Sequence, residues 1–264
     1  MILRKWPVAH LLLAVALIFG VAGSATAVGE HRPKPTVVLV HGAFADASGW
    51  DDVARSLQRK GYPVLAPANP LRGVDFDSAY LRSVLATVQG PIVLVGHSYG
   101  GFVLTNAATG NPNVKALVYI AAFAPDAGET VGGLSALFPG SQLGEAALDF
   151  RPHPGGVDGY IKLSLFREVF AADVPRATAA AMAVSQRPAD VATLGQPSGV
   201  PAWKTIPSWT LIAKDDHVIP AAAQRFMAQR AGARTVQVAA SHVAMISEPE
   251  ATTELVLTAV RKTS

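Results

Sequence analysis

The chain contains no cysteine. That excludes disulfides, a cysteine nucleophile and thiolate metal sites. It leaves the redox compartment open, because a domain large enough to bury a core needs no disulfide staple. Charge is sparse as well: 16% of the 264 residues are charged and 50% are hydrophobic, the reverse of a disordered composition. No glycine-rich phosphate loop occurs, and no His, Asp and Glu residues stand at metal-ligand spacing. No cofactor and no metal are therefore expected. Internal repeats and low-complexity tails are also missing, and the length suits one domain with an insertion.

One apolar run stands out, Leu11 to Val21, and it is short for a membrane span. Arg4 and Lys5 precede it, and Gly-Ser-Ala-Thr-Ala closes it with small residues at Ala25 and Ala27. This is the layout of a signal peptide with its cleavage site. Residues 1–27 are expected to be removed, leaving 28–264 as an exported protein, periplasmic or secreted, with no stable membrane association. The leader holds two basic residues and no acidic one, so the remainder has 20 basic against 19 acidic residues. A charge of +1 with no Lys/Arg cluster gives no footprint for nucleic acid or an anionic membrane.

From Thr36 onward, strand and helix patterns alternate with short links. Strands are predicted at 36–40, 62–66, 92–95 and 114–121, with helices at 49–60, 77–88 and 99–108. The alternation resumes with strands at 209–213 and 235–239 and helices at 221–231 and 248–260. Such a chain folds as an α/β domain, a mostly parallel sheet with helices on both faces. Between 124 and 207 the pattern breaks. Its first part, around 126–165, is expected to form a small cap, and the rest, with helix-like stretches near 160–170 and 174–184, to return to the sheet.

The sharpest motif is Gly96-His97-Ser98-Tyr99-Gly100-Gly101, directly after a strand and directly before a helix. A Gly-x-Ser-x-Gly run in that setting is a nucleophile elbow, which presents the serine hydroxyl at a helix N-terminus. The hydroxyl needs a base to take its proton. His242, in the loop between the last strand and the last helix, is the candidate. His41 and His97 are read as loop-holding residues beside the elbow, His153 as a surface residue in a Pro/Gly loop, and His217 as solvent-facing. His31 lies in the charged N-terminal stretch, and His10 leaves with the leader. The orienting acid should follow the preceding strand, where Asp215 and Asp216 both stand; Asp216 is preferred. Oxyanion donors are expected from the backbone N–H of Tyr99 and of Phe44, with Ala43 as the alternative to Phe44.

With these residues in place, the sequence resembles the α/β-hydrolase superfamily, and within it the bacterial alpha/beta fold hydrolases and the plant methylesterase and hydroxynitrile lyase enzymes. The matching segments are 41–50, 96–101, 166–173, 216–220 and 241–246. The order Ser98, Asp216, His242 is that of the superfamily, and the resemblance supports Asp216 as the acid. Hydroxynitrile lyases of this group carry a threonine and a lysine where this chain has Gly42 and Val243, which argues against lyase chemistry. A dehalogenase would need an aspartate at position 98.

The resemblance and the motifs together imply a serine hydrolase of small organic esters, working through an acyl-enzyme. Amide, lactone or carbon–carbon bond hydrolysis on the same triad is the alternative, and a non-catalytic binding protein a more distant one. The cap residues Leu134, Leu137, Phe138, Leu148 and Phe150 are expected either to line an apolar pocket or simply to pack the cap.

Overall fold

A computed structural model describes residues 34–263. The leader segment 1–27, its cleavage site and His31 lie outside the described residues. In chain order the elements are β1 (Thr36–Val40), α1 (Asp51–Arg59), β2 (Val64–Leu65), α2 (Val74–Ala86), β3 (Ile92–His97), α3 (Tyr99–Ala107) and β4 (Val114–Ile120). The insertion follows with α4 (Val131–Ala136), β5 (Leu148–His153), β6 (Gly156–Ile161), α5 (Phe166–Phe170), α6 (Arg176–Ser185), β7 (Ala189–Asp190) and α7 (Ala192–Gly195). The chain then returns through β8 (Ser208–Ala213), α8 (Ala221–Arg230), β9 (Arg234–Val238), α9 (Ala244–Ser247) and α10 (Pro249–Thr263).

Six strands form one parallel sheet in the order β2-β1-β3-β4-β8-β9. Its central strands are apolar runs such as Ile-Val-Leu-Val at 92–95, buried along their length, as strands covered on both faces must be. Helix α1 packs with α10, and α2 with α3, so two helix pairs cover the sheet. The strand expected at 62–66 shrinks to Val64–Leu65 at the sheet edge. Pro63 and Pro67 bracket it, and a residue without an N–H cannot extend the ladder. The opposite edge, β9, is largely exposed.

The insertion is larger than expected. Rather than ending near 165, it holds a separate antiparallel sheet, β5-β6-β7, whose third strand is Ala189–Asp190. The stretch at 148–161 is a hairpin, closed through Pro154-Gly155. None of the helices among the described residues is long and apolar enough to cross a membrane.

Candidate active site

The elbow is assembled by contact distances that only glycine permits. A Cβ on Gly100 would overlap the Val40 carbonyl oxygen of β1, and one on Gly42 would lie 2.6 Å from the Ser98 Cβ. Helix α3 therefore sits directly on the end of β1, and the loop after β1 touches the serine. Ser98 itself takes φ 52° and ψ −125°, a conformation that costs an L-residue on the order of 1–3 kcal/mol and recurs at functional sites. It stands at the N-terminus of α3, where free N–H groups and the helix dipole favour negative charge.

Asp216 and His242 pair directly. His242 Nδ1 lies 2.8 Å from Asp216 Oδ2, and both side chains are fully buried. The second aspartate, Asp215, is exposed, so Asp216 is the one that reaches the histidine. The Asp216 carboxylate has every lone-pair direction engaged. Oδ1 accepts the N–H of Val218 at 2.7 Å and of Ile219 at 2.9 Å, and Oδ2 also accepts Gln224 Nε2 at 2.8 Å. A carboxylate held this way fixes the tautomer of the imidazole that donates to it. The two loops are stitched by backbone bonds, Lys214 N–H to Val238 O and Asp215 N–H to Ala240 O. His242 Nε2, the other ring nitrogen, is buried with no hydrogen-bond partner among the described residues, and it is the nitrogen free to take a proton.

Several residues hold this pair in place. His97 Nε2 donates to the His242 carbonyl at 2.9 Å, with the two rings 4.7 Å apart. Complete burial, reinforced by the neighbouring His242, drives the His97 pKa well below that of an ordinary histidine, so this ring is a neutral prop. His41 accepts the Asn69 N–H at 2.9 Å and donates from Nδ1 to the Gly42 carbonyl at 2.9 Å; burial lowers its pKa too. Both fit the loop-holding role read from sequence. Four further residues had no assigned role in the sequence. Phe170 packs its ring 5.1 Å from His242. Asp173 accepts both the N–H and the hydroxyl of Ser241, next to His242. Burial alone would raise the Asp173 carboxyl, but these bonds outweigh it and leave the pKa below the ordinary value. Gln224 secures the acid, and Asp77 receives the Tyr99 phenol. Phe170 and Asp173 lie in the 166–173 segment that carried the resemblance, which was the available signal for them.

One expected donor is corrected. Phe44 has φ 61°, and this turns its N–H to the cap, where it donates to the Arg187 carbonyl at 2.9 Å. It is not free for an oxyanion. The alternative, Ala43, borders the cavity beside Ser98 and Tyr99, and its N–H bonds to none of the described residues.

The cavity over Ser98 measures about 410 Å³, within the range of small-molecule sites. Phe123, Val131, Leu143, Val191 and Leu194 contribute apolar walls. Of the five cap residues singled out from sequence, Leu148 and Phe150 line it. Leu134 is buried elsewhere in the cap, Leu137 is exposed, and Phe138 packs on Phe226.

Two histidines differ from their sequence reading. His217 is half-buried and bonds through Nδ1 to the Glu168 carbonyl at 2.9 Å. His153 ends β5 and joins Asp158 and Asp190 in a group whose ligand atoms all lie within 4.8 Å of one another. Linear spacing hid this group, because strand pairing assembles it. Arg72 already supplies the cation there, with Nη1 2.6 Å from Asp158 Oδ1 and 3.1 Å from His153 Nε2. The cluster is therefore an ionic tie between core and cap.

A strained serine elbow, a buried Asp–His pair and a covering cap on a parallel sheet define an α/β hydrolase. The profile of the Alpha/beta hydrolase family matches residues 37–255, and the chain belongs to that family. It is similar to a carbendazim hydrolyzing esterase of a Nocardioides strain, 34% identical over 126 residues, 43% of this chain and 51% of that protein. The match thus spans about half the length of that relative. It is also similar to a pyrethroid hydrolase of Sphingobium wenxiniae, 29% identical over 242 residues, 83% of this chain and 85% of the other. The crystal structure of a pyrethroid hydrolase from Sphingobium faniae shares the fold, with a TM-score of 0.71 and 23% identity over 86% of this chain and 97% of that one. Methylesterases of Arabidopsis thaliana are among the relatives too, in keeping with the resemblance seen in the motifs.

Proposed function

We propose that the protein is a serine esterase of neutral, largely apolar carboxylic esters. The observation that carries this reading is Ser98 at φ 52° beside the buried Asp216–His242 pair, opening on an apolar cavity of about 410 Å³. His242 Nε2 takes the Ser98 proton as Oγ attacks the ester carbonyl, and Asp216 stabilises the imidazolium. The oxyanion rests on the N–H groups of Tyr99 and Ala43. His242 then protonates the leaving alcohol, and water repeats the sequence on the acyl-enzyme. The relatives named for pyrethroid and carbendazim hydrolysis support a cavity suited to more than an acetyl group. Export after removal of residues 1–27 belongs to the same proposal, and the N-terminal mass of protein from the cell exterior or periplasm tests it.

The direct experiment is hydrolysis of p-nitrophenyl acetate, butyrate and octanoate by wild type and Ser98→Ala. Turnover in wild type, reduced by about 10⁴-fold or more in the variant, is expected. A folded wild type inert on all three, or a variant as active as wild type, overturns the reading.

A further inference from the structure

The side chain of Tyr99 leaves α3 and crosses to α2, where its hydroxyl donates to Asp77 Oδ2 at 2.8 Å. Both residues are closed to solvent, Asp77 at 0% and Tyr99 at 2% exposure. The carboxylate also accepts the N–H of Arg72 at 3.0 Å and of Gly73 at 3.3 Å, ahead of the first turn of α2. Among the described residues no basic side chain forms an ion pair with it. Burial pushes the Asp77 carboxyl above its ordinary value and the Tyr99 phenol far up, so the phenol stays a donor throughout the working pH range.

Removing a carboxylate from water without a counter-cation is unfavourable, and a leucine–phenylalanine pair could fill the same space; such replacements are often neutral or stabilising. What an apolar pair cannot do is fix direction, which a hydrogen bond does. Direction matters at this position. Tyr99 opens α3 immediately after the strained Ser98, and its main-chain N–H has no acceptor within the helix. Its phenol ties the residue to α2, outside the elbow.

We propose that Asp77 is a positioning residue for the oxyanion hole: by holding the Tyr99 phenol, it sets the aim of the Tyr99 N–H at the oxyanion. The proposal rests on the hydrolase reading above. It makes Asp77 act through Tyr99, without contact with substrate.

The test compares wild type, Tyr99→Phe, Asp77→Asn and Asp77→Leu. Each is assayed with p-nitrophenyl butyrate and for inhibition by phenyl trifluoromethyl ketone. Ser98 Oγ adds to the carbonyl carbon of that ketone, its proton passes to His242, and the ketone oxygen becomes the oxyanion. A lost oxyanion donor costs about 10²–10³-fold in kcat, and a misaimed one a fraction of that. Tyr99→Phe and Asp77→Leu should lower kcat about tenfold, leave KM within about twofold, and weaken the ketone by the same factor as kcat. Asp77→Asn keeps an acceptor oxygen and should stay within about threefold of wild type. Variants that melt earlier yet keep wild-type kcat and ketone affinity overturn the proposal, since a purely structural pair would behave so. If Tyr99→Phe does not fold, equal values for Asp77→Asn and Asp77→Leu overturn it instead. A wild type that neither turns over ester nor binds the ketone would sink the hydrolase reading and this proposal together, an outcome separate from the others.

Discussion

The sheet and the cap hold their residues by different means. Ser98 and Asp216 follow buried parallel strands and His242 follows the edge strand β9, and each is held by contacts that tolerate little change: a glycine-only approach, a saturated carboxylate, a histidine prop. Leu148 and Phe150 stand on β5, a strand that is mostly open to solvent and lies at the edge of a three-stranded sheet. The insertion meets the core through polar ties, such as Arg72 to Asp158 and Phe44 N–H to Arg187 O, and through buried rings, such as Phe170 against Phe44 and His97. Ser98, Asp216 and His242 thus sit where packing is over-determined, and Leu148 and Phe150 where substitutions can be absorbed.

The sharpest break of that contrast is Asp216→Asn. It leaves shape nearly intact but gives His242 the wrong partner, and kcat on p-nitrophenyl butyrate should fall about 10³–10⁴-fold. A loss under tenfold would show that the pair is not the orienting device.

A pair of glycine substitutions tests the packing side. Gly100→Ala drives a methyl into the Val40 carbonyl and should destabilise by about 3 kcal/mol in urea unfolding. Gly144→Ala, in the cap with no atom within 4 Å of an added Cβ, should change stability by no more than about 0.5 kcal/mol. Equal effects would erase the distinction between the two regions.

Acid should undo the core first. His41 and His97 have folded-state pKa values below the ordinary 6.5, so below that pH the unfolded chain binds protons that the folded one refuses. Stability is therefore full above pH 6.5, falls as pH drops through it, and levels only well below. Replacing His97 with Gln should make this decline shallower in melts between pH 7.5 and 5. An unchanged slope would show that His97 is not a buried neutral ring.

The smallest effect belongs to the cavity wall. Phe150→Ala should raise KM for the octanoate ester about fivefold, about 1 kcal/mol of lost apolar contact, and leave acetate turnover unchanged. A matching loss on acetate would place Phe150 in the chemistry.

Much of this was legible in the residues. Most strands and helices of the core were visible, because the central parallel strands are unbroken apolar runs and the helices carry one apolar face; the short α9 was not, and the strand at 62–66 proved shorter. Gly96 to Gly101 announced the elbow, and the loops after the last two strands offered Asp216 and His242. The cap was harder to read. The hairpin at 148–161 is short, polar and rich in proline and glycine, and its period-2 signal is lost in a half-exposed sheet. Phe44 was misjudged because the direction of an N–H depends on φ and on a carbonyl 143 residues away.

What the sequence determined by itself was the fold class and the elbow that makes Ser98 the candidate nucleophile, since these rest on local periodicity and on a turn that only small residues can make. Only the tertiary structure set Asp216 against His242, burying it and leaving Asp215 exposed. It alone tied up the Phe44 N–H and left that of Ala43 free among the described residues, gathered Arg72 with His153, Asp158 and Asp190, and joined Asp77 to Tyr99. Each of those outcomes depends on which distant groups share a small volume, and no stretch of neighbouring residues encodes that.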